Sequence, residues 1–296
     1  MQVRFWGTRG SIAAPGRATV RYGGNTSCVE MRTAAGELLI FDSGTGIREL
    51  GRELSSASNG PVRGHIFLSH THWDHIQGFP FFWPAFMPGN SLTIYAGRDL
   101  DRDLESVLAG QMEYAYFPVR LEDMQAEVRF RNLGEEQLTV GDARIDVQYM
   151  NHTGLTLGYR VHADDRTVVY ATDNEPYDKT VRDLSPRGQQ AVPTWPVHQG
   201  DRSFVEFIRG ADLLITDAQY TAEEFREKIG WGHSSVEHAV DFAVAGGVKR
   251  LALYHHDPTR VDRAVDSLVR RARRRAALQG SDIDVFAAAE GLTVTL

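Results

Sequence analysis

The sequence predicts an α/β protein in which two packed, mixed β-sheets are covered by helices on their outer faces. Strand-like segments dominate the first part of each half of the chain, and helical segments follow them. No linker or low-complexity segment divides the 296 residues. Sheets with helices outside are one of the few layered arrangements that bury every apolar face. We therefore expect one domain over residues 1–296, with a division near residue 150 as the alternative.

The first half of the chain begins with three short strands separated by glycines, a pattern typical of tight connections. A fourth, apolar strand then leads into a cluster of histidines. The elements expected in this half are strands at 3–6, 26–31, 37–41 and 65–68, and helices at 47–54 and 99–109. Residues 88–129 form the one sizeable insertion that we expect, and their charges are mixed.

In the second half, apolar strands are followed by longer helices. Residues 138–147 read as a hairpin with its turn at Gly141-Asp142. The further elements expected are strands at 156–161, 167–170, 213–216, 251–254 and 283–286, and helices at 234–245 and 258–278. The last helix is apolar on one face, so its arginines are expected on the exposed face and near its C-terminus, with a phosphate-binding patch as the alternative. These arginines are Arg270, Arg271, Arg273, Arg274 and Arg275.

Composition limits the possible functions. A net charge of −7 and a pI near 5.9 argue against a protein whose main task is to grip long nucleic acid. No apolar stretch approaches the ~18 residues of a membrane span, and the N-terminus is strand-like rather than a signal peptide. The single cysteine, Cys28, excludes an internal disulfide and is expected to be buried and inert. We therefore expect a cytoplasmic protein without a membrane partner.

The segment from His70 to His75 carries three imidazoles and a carboxylate in six residues. These are the side chains that bind zinc and similar metals. In extended backbone, His70 and His72 point to the same side and can hold one ion together. Asp74 and His75 follow after the chain changes direction and can address a second ion. A solvated, histidine-rich loop is the alternative, which the aspartate and the preceding strand disfavour.

Three later strands end in further candidate ligands, which a two-metal centre would need. His152 follows one strand, Asp173 follows another, and His255 or His256 follows a third. The two carboxylate oxygens of Asp173 can bridge a pair of ions. Each of these residues is weak evidence alone, and their combination with the cluster gives them weight.

The order of these residues, beginning with Asp42 at the end of the third strand, resembles the metallo-β-lactamase fold superfamily. Within it, the chain is most similar to the ribonuclease Z and cyclic-nucleotide phosphodiesterase branch, because of segments 156–160, 232–235 and 250–255. The resemblance implies a four-layer αβ/βα sandwich and two divalent metal ions. Zinc is favoured, and manganese or iron would also suit the ligands.

The resemblance also implies a division of the ligands. One ion would be held by His70, His72 and His152, and the other by Asp74, His75 and His255, with Asp173 bridging. His256 stays open as an alternative to His255. Asp42 would orient a ligand rather than bind metal.

His233 resembles the histidine that lies beside the reacting phosphate in the phosphodiesterase branch. It could stabilise the developing charge or protonate the leaving oxygen, with Asp217 to orient it. The alternative is a structural residue at the start of a helix. We predict His233, Asp217 and Asp74 as the catalytic residues, and His65, His162, His198 and His238 as structural or surface residues.

The function that we expect is hydrolysis of a small phosphodiester, a cyclic or short nucleotide, by a hydroxide shared between two ions. The acidic chain and the lack of a long glycine-rich basic insertion argue against long nucleic acid as a partner. A ribonuclease Z-like nuclease that processes RNA is the alternative. A lactonase, a thioesterase and a metal-binding sensor without turnover are further alternatives for the function. A homodimer is a possible assembly.

Overall fold

The structure is a computed structural model that describes residues 1–57, 60–98, 103–184 and 195–296. The strands in chain order are β1 Gln2–Gly7, β2 Cys28–Arg32, β3 Leu38–Phe41, β4 Arg63–Phe67, β5 Ser91–Gly97, β6 Glu127–Leu133, β7 Gln137–Val140, β8 Ala143–Met150, β9 Thr156–Ala163, β10 Arg166–Ala171, β11 Leu213–Asp217, β12 Arg250–Tyr254, β13 Asp284–Ala287 and β14 Thr293–Thr295. The α-helices are α1 Ile47–Ala57, α2 Trp73–Ile76, α3 Leu104–Gly110, α4 Gln199–Ile208, α5 Ala222–Glu227, α6 Val236–Ala245 and α7 Asp262–Leu278.

The described strands form two mixed sheets of seven strands each. The first has the order β14-β1-β2-β3-β4-β5-β6, and the second has the order β13-β12-β11-β10-β9-β8-β7. In each sheet, one half is antiparallel and the other half is parallel, with β3 to β6 and β10 to β13 running parallel. The parallel strands β11 and β12 are buried almost throughout, as expected for strands covered on both faces.

The largest apolar core lies between the two sheets. Phe41 and Phe67 of the first sheet contact Tyr159 of the second, with ring centroids 5.7 and 5.3 Å away. A second core lies under α4, α6 and α7, and a third lies under α1 and α3. The resulting order of layers is helix, sheet, sheet, helix, which is the predicted architecture. Residues from both halves of the chain fill the central core.

Several predicted elements differ from the structure. The assignment of residues 88–129 as an insertion was wrong, because these residues contain β5 and the start of β6, two strands of the first sheet. Helix α3 lies between them in the chain. The predicted helix at 258–278 begins at Asp262, since a turn after Pro258 precedes it. The first residues of the predicted helix at 99–109, residues 99–102, lie outside the described residues. Helices α4 and α5 were not predicted.

The arginines of α7 mostly support the fold. Arg275 makes a bidentate pair with buried Asp241, with nitrogen–oxygen distances of 2.7 and 2.6 Å, and Arg271 pairs with Glu237. These contacts agree with a structural role for the basic cluster, but the expected place on the exposed face was wrong for Arg275, whose side chain is only 12% exposed. Cys28 is fully buried, which raises the pKa of its thiol. Across the described helices, we find none with the length and apolar character to cross a membrane.

Candidate metal centre

Four candidate ligands come from the segment that follows β4 in the first sheet. His70 and His72 lie in the extended stretch after the strand, and Asp74 and His75 lie in the short helix α2. This helix packs against the turn after β3, where a Cβ on Gly44 would lie 2.3 Å from the Asp74 carbonyl oxygen. The glycine therefore allows the close approach that places the two ligands of α2 at the centre.

The remaining candidate ligands follow strands of the second sheet. His152 comes after β8, Asp173 after β10 and His255 after β12. Because β10, β11 and β12 run parallel, their carboxyl ends lie at the same edge of the sheet. The backbone of His255 is left-handed, with φ of 58°, and its ring lies so close to Gly10 that a Cβ there would be 2.4 Å away.

The first set of donors consists of three histidines with nitrogens turned toward one another. Nδ1 of His72 lies 2.9 Å from Nε2 of His70 and 3.2 Å from Nε2 of His152. Nitrogens bound tetrahedrally to zinc at its usual bond length are separated by about 3.3 Å. The set therefore has the spacing needed to hold one ion.

The second set consists of two histidines and an aspartate. Oδ2 of Asp74 lies 3.2 Å from Nε2 of His75 and 3.0 Å from Nε2 of His255. The two histidine nitrogens are 3.3 Å apart. Ser11 donates its backbone N–H to Asp74 Oδ2 at 2.7 Å, which fixes the carboxylate. This set also matches the edge lengths of a tetrahedral site.

Asp173 lies between the two sets and presents one oxygen to each. Oδ2 is 3.7 Å from Nε2 of His70 and 3.6 Å from Nε2 of His152. Oδ1 is 3.4 Å from Nε2 of His75 and 3.3 Å from Nε2 of His255. A carboxylate that faces two donor sets with different oxygens fits a pair of divalent ions.

Asp42 fixes the orientation of the first-sheet ligands from behind. Its Oδ2 accepts hydrogen bonds from Nδ1 of His75 at 2.7 Å, from the Ser69 hydroxyl at 2.8 Å and from the Tyr170 hydroxyl at 2.6 Å. The Ser69 hydroxyl also lies 3.0 Å from Nδ1 of His70. These contacts leave Nε2 of both histidines directed at the centre, as outer-shell partners of metal ligands do.

The electrostatics of the cluster suit metal ions. Burial lowers the pKa of the three first-set histidines, which favours the neutral form that a metal ion needs. Burial opposes ionisation of Asp74, but His75 and His255 hold its pKa below the usual range. Despite burial, the same two histidines hold the pKa of Asp173 well below its usual range. The centre therefore offers two ionised carboxylates.

His233 lies beside both donor sets and is held by Asp217. Its Nδ1 is 2.8 Å from Asp217 Oδ2 and 3.8 Å from Asp173 Oδ2. Its ring centroid is 5.0 Å from that of His255 and 5.3 Å from that of His152. Burial lowers the pKa of His233, but Asp217 and then Asp173 outweigh it, and the pKa rises to about 9. The geometry thus places an imidazole that is held by a carboxylate next to the donor sets.

The other histidines lie apart from these contacts. Nε2 of His256 bonds to the carbonyl oxygen of Ala288 at 3.0 Å, so the structure brings His255 and not His256 into the cluster. The four histidines expected to be structural have other partners; they are His65, His162, His198 and His238. Ser11, which contacts Asp74, was not predicted. Its signal in the sequence is only the pair Gly10-Ser11, where Ser11 is left-handed with φ of 64°.

Gly232 offers a test of how tightly His152 is held. Nδ1 of His152 lies 2.8 Å from the Gly232 carbonyl oxygen, and a Cβ at this position would lie 2.1 Å from the same nitrogen. We expect Gly232→Ala to displace the imidazole and to weaken one zinc affinity by about 10–100-fold. Gly36→Ala is the matched control, because its φ of 94° imposes similar strain but no atom would lie within 4 Å of its Cβ and it is outside this turn. Chelator competition measures both affinities, and equal affinities in the two variants would contradict the prediction.

The family model described as a beta-lactamase superfamily domain matches residues 39–191, a little over half of the chain. The chain therefore belongs to the beta-lactamase superfamily. The matched region contains Asp42, the histidine cluster, His152 and Asp173. Together with the two donor sets, this membership supports a metal-dependent hydrolase.

The chain is similar to proteins called ribonuclease Z. It is 25% identical to that of Haloarcula marismortui over 302 residues, which cover 92% of this chain and 91% of the relative. It is 27% identical to that of Halobacterium salinarum over 323 residues, which cover 99% of this chain and 96% of the relative. The predicted resemblance to the ribonuclease Z branch is thereby confirmed.

Solved structures confirm the fold. A metallo-beta-lactamase fold protein of Bacillus subtilis, YhfI, has a TM-score of 0.66 at 19% identity and covers 99% of this chain and 98% of its own. The short form of human tRNase Z has a TM-score of 0.64 at 19% identity, with 100% and 98% covered. Unliganded yeast PDE1 has a TM-score of 0.65 at 12% identity, with 100% and 99% covered.

Proposed function

We propose that the protein is a phosphodiesterase that uses two divalent metal ions and that RNA is its first candidate substrate. The observation that carries the proposal is the hydrogen-bonded His233–Asp217 pair beside the two donor sets. The relatives named ribonuclease Z favour RNA, since they align with nearly the whole chain. They weigh against our expectation that long nucleic acid is an unlikely partner.

A small phosphodiester, such as a cyclic or short nucleotide, is the second candidate. The net charge of −7 favours it, because a protein that grips a long phosphate backbone gains affinity from positive charge. Ligands from both sheets complete each donor set, so we propose that residues 1–296 act as one catalytic unit. A cytoplasmic location and a homodimer remain predictions.

The side chains of this site have separate tasks in the proposed reaction. One ion would be held by His70, His72 and His152. The other ion would be held by Asp74, His75 and His255, and Asp173 would contact both ions. When bound, two divalent ions lower the pKa of a water molecule and neutralise charge on the phosphate.

The His233–Asp217 pair would move the proton in this reaction. Asp217 accepts the Nδ1 proton of His233, which leaves the second proton of the imidazolium on Nε2. His233 would donate that proton to the oxygen that leaves the phosphorus, opposite the attacking water. Asp217 would keep the ring in this orientation and stabilise its positive charge.

The proposed activity is tested with the zinc- and manganese-loaded protein on precursor tRNA, cyclic AMP and bis(p-nitrophenyl) phosphate. We expect turnover of the activated diester and cleavage of the precursor at a discrete position. The Asp173→Ala protein, purified in parallel, controls for contaminating nucleases. Cleavage of cyclic AMP without cleavage of tRNA would select the second candidate. No diester turnover at full metal occupancy would reject the proposal and leave a lactonase, a thioesterase or a sensor.

A further inference from the structure

Glu175 is a buried carboxylate outside the donor sets. It lies two residues after Asp173, and only 3% of its surface is exposed. A buried charge is costly unless it is paired and hydrogen-bonded. Lys179 lies 2.6 Å from its Oε1. Among the described residues, the Glu175 carboxylate also accepts hydrogen bonds from two backbone N–H groups, that of Gly230 at 2.9 Å and that of Gly232 at 2.7 Å.

The two glycines form a turn that is shaped around this carboxylate. Gly230 and Gly232 have φ values of 89° and 87°, which direct both amides to the same side chain. Successive amides arranged in this way bind anions. Trp231, between them, is 60% exposed, so packing of its side chain contributes little to the position of the turn. The Glu175 carboxylate is thus a buried contact that fixes the start of the turn, and Asp217 holds its end through His233 and the backbone N–H of Ser234.

The turn carries two contacts of the candidate metal centre. The carbonyl oxygen of Gly232 lies 2.8 Å from Nδ1 of His152 and selects the tautomer in which Nε2 is free for metal. The next residue in the chain is His233. A shift of the turn would therefore move an imidazole of the first donor set and the imidazole held by Asp217 together.

The backbone of Glu175 connects this turn to the segment before His152. Its N–H donates to the carbonyl oxygen of Asn151 at 2.7 Å, and Asn151 Nδ2 donates to the Glu175 carbonyl oxygen at 2.6 Å. Glu175 thus joins three segments of the chain, which carry His152, Asp173 and His233. Asn174 joins the same three segments through Asn151 and Ser234, so the contact that is specific to Glu175 is the one with the two glycine amides.

We propose that Glu175 is a positioning residue, whose carboxylate holds the 230–233 turn so that His152 faces the first donor set and His233 faces Asp173. The carboxylate acts through the two glycine amides and does not touch the donor atoms. The effect on His233 rests on the proposed function, whereas the effect on His152 concerns metal affinity alone. The two effects can be measured separately.

The variants remove the contacts one at a time. Glu175→Ala removes both acceptors, and Glu175→Gln keeps one acceptor oxygen while it turns an NH₂ group toward the turn. Lys179→Met removes the ammonium group but leaves both acceptors on Glu175. Glu227→Gln, at an exposed position in α5 just before the turn, is the matched control. His152→Ala identifies which of the two zinc affinities depends on the first donor set.

The first measurement is zinc affinity by chelator competition. We expect Glu175→Ala to weaken the zinc affinity that His152→Ala also weakens, by about tenfold or more, and to leave the other unchanged. Glu175→Gln should give a smaller change in the same direction, and Lys179→Met and the control should retain wild-type affinity. If Glu175→Ala weakened both zinc affinities equally, the residue would have a general structural role. If it weakened neither, the residue would have no positioning role. Either result would overturn the proposal.

The second measurement is the ratio of rates on two diesters. The leaving group of a dinucleotide is a basic alkoxide, which needs an acid to protonate it. The leaving group of bis(p-nitrophenyl) phosphate is a stable phenolate, which departs without a proton. We expect Glu175→Gln to lose about tenfold or more on the dinucleotide relative to the activated diester. An unchanged ratio would overturn the effect on His233. If no variant and no wild-type protein cleaves any diester while one zinc affinity still falls, the proposed function fails and the positioning of His152 stands.

Discussion

Replacement of Asp173 by alanine is expected to lower kcat/KM by about 10³-fold on every diester. The reason is the division of its two oxygens between the donor sets, with Oδ2 near His70 and His152 and Oδ1 near His75 and His255. Loss of the carboxylate removes a ligand from both ions. It also removes the negative charge that lies between the two donor sets.

Asp173→Asn separates the two contributions. The amide keeps one acceptor oxygen, so we expect one ion to stay tightly bound while the second is lost at micromolar free zinc. Metal content by atomic emission, with kinetics on bis(p-nitrophenyl) phosphate, checks both variants. Asp282→Asn, at an exposed position remote in sequence from the donors, is the control. Two bound ions with wild-type kcat/KM in Asp173→Ala would show that the carboxylate is not a bridge.

Replacement of His233 by alanine is expected to depend strongly on the leaving group. On a dinucleotide or RNA, we expect a loss of about 10²–10⁴-fold, the usual contribution of a positioned acid. On bis(p-nitrophenyl) phosphate, the loss should be much smaller, because nitrophenolate leaves without a proton. Asp217→Asn should act in the same direction, since it removes the negative charge that stabilises the imidazolium. Equal losses on both substrates would remove His233 from proton transfer.

The same imidazole gives a prediction for pH dependence. Burial lowers the pKa of His233, but the charge of Asp217 outweighs it and raises the pKa to about 9. An acid must be protonated, so activity on the dinucleotide should be retained below this value and fall as the pH rises through about 9. The alkaline limb should disappear in His233→Ala and persist in the control His162→Ala. A limb that persists in His233→Ala belongs to another group.

The sequence was most informative where the chemistry is local. Three imidazoles and a carboxylate within six residues predict metal binding without knowledge of the fold, and the expected change of chain direction after His72 predicts two donor sets. Asp42 was also predictable in its orienting role, and the structure places its carboxylate 2.7 Å from His75 Nδ1. The strands β11 and β12 were predictable because they are continuous apolar runs, which is the signature of strands buried on both faces.

Features that depend on distant packing were less predictable. His255 and His256 are adjacent and chemically identical, so their side chains could not show which ring faces the centre. In the structure it is His255, whose backbone is left-handed, while His256 bonds to Ala288. Strands β5 and β6 were not predicted, because they lie in a segment of mixed charge. Strand β6 is at the edge of the first sheet and is largely exposed, so polar residues are tolerated there. Glu175 gave no signal at all, since its role arises from two glycine amides more than fifty positions later in the chain.

Each donor set takes residues from both sheets, which has a consequence for stability. His70 and His72 follow the first sheet and His152 follows the second, and Asp74 and His75 are similarly completed by His255. Either ion would therefore cross-link the two halves of the sandwich at one end of the central core. Ligands that bind only the folded state stabilise it by about 2.7 kcal/mol at a hundredfold excess over Kd. Zinc supply would then govern not only turnover but also how long the two sheets stay together.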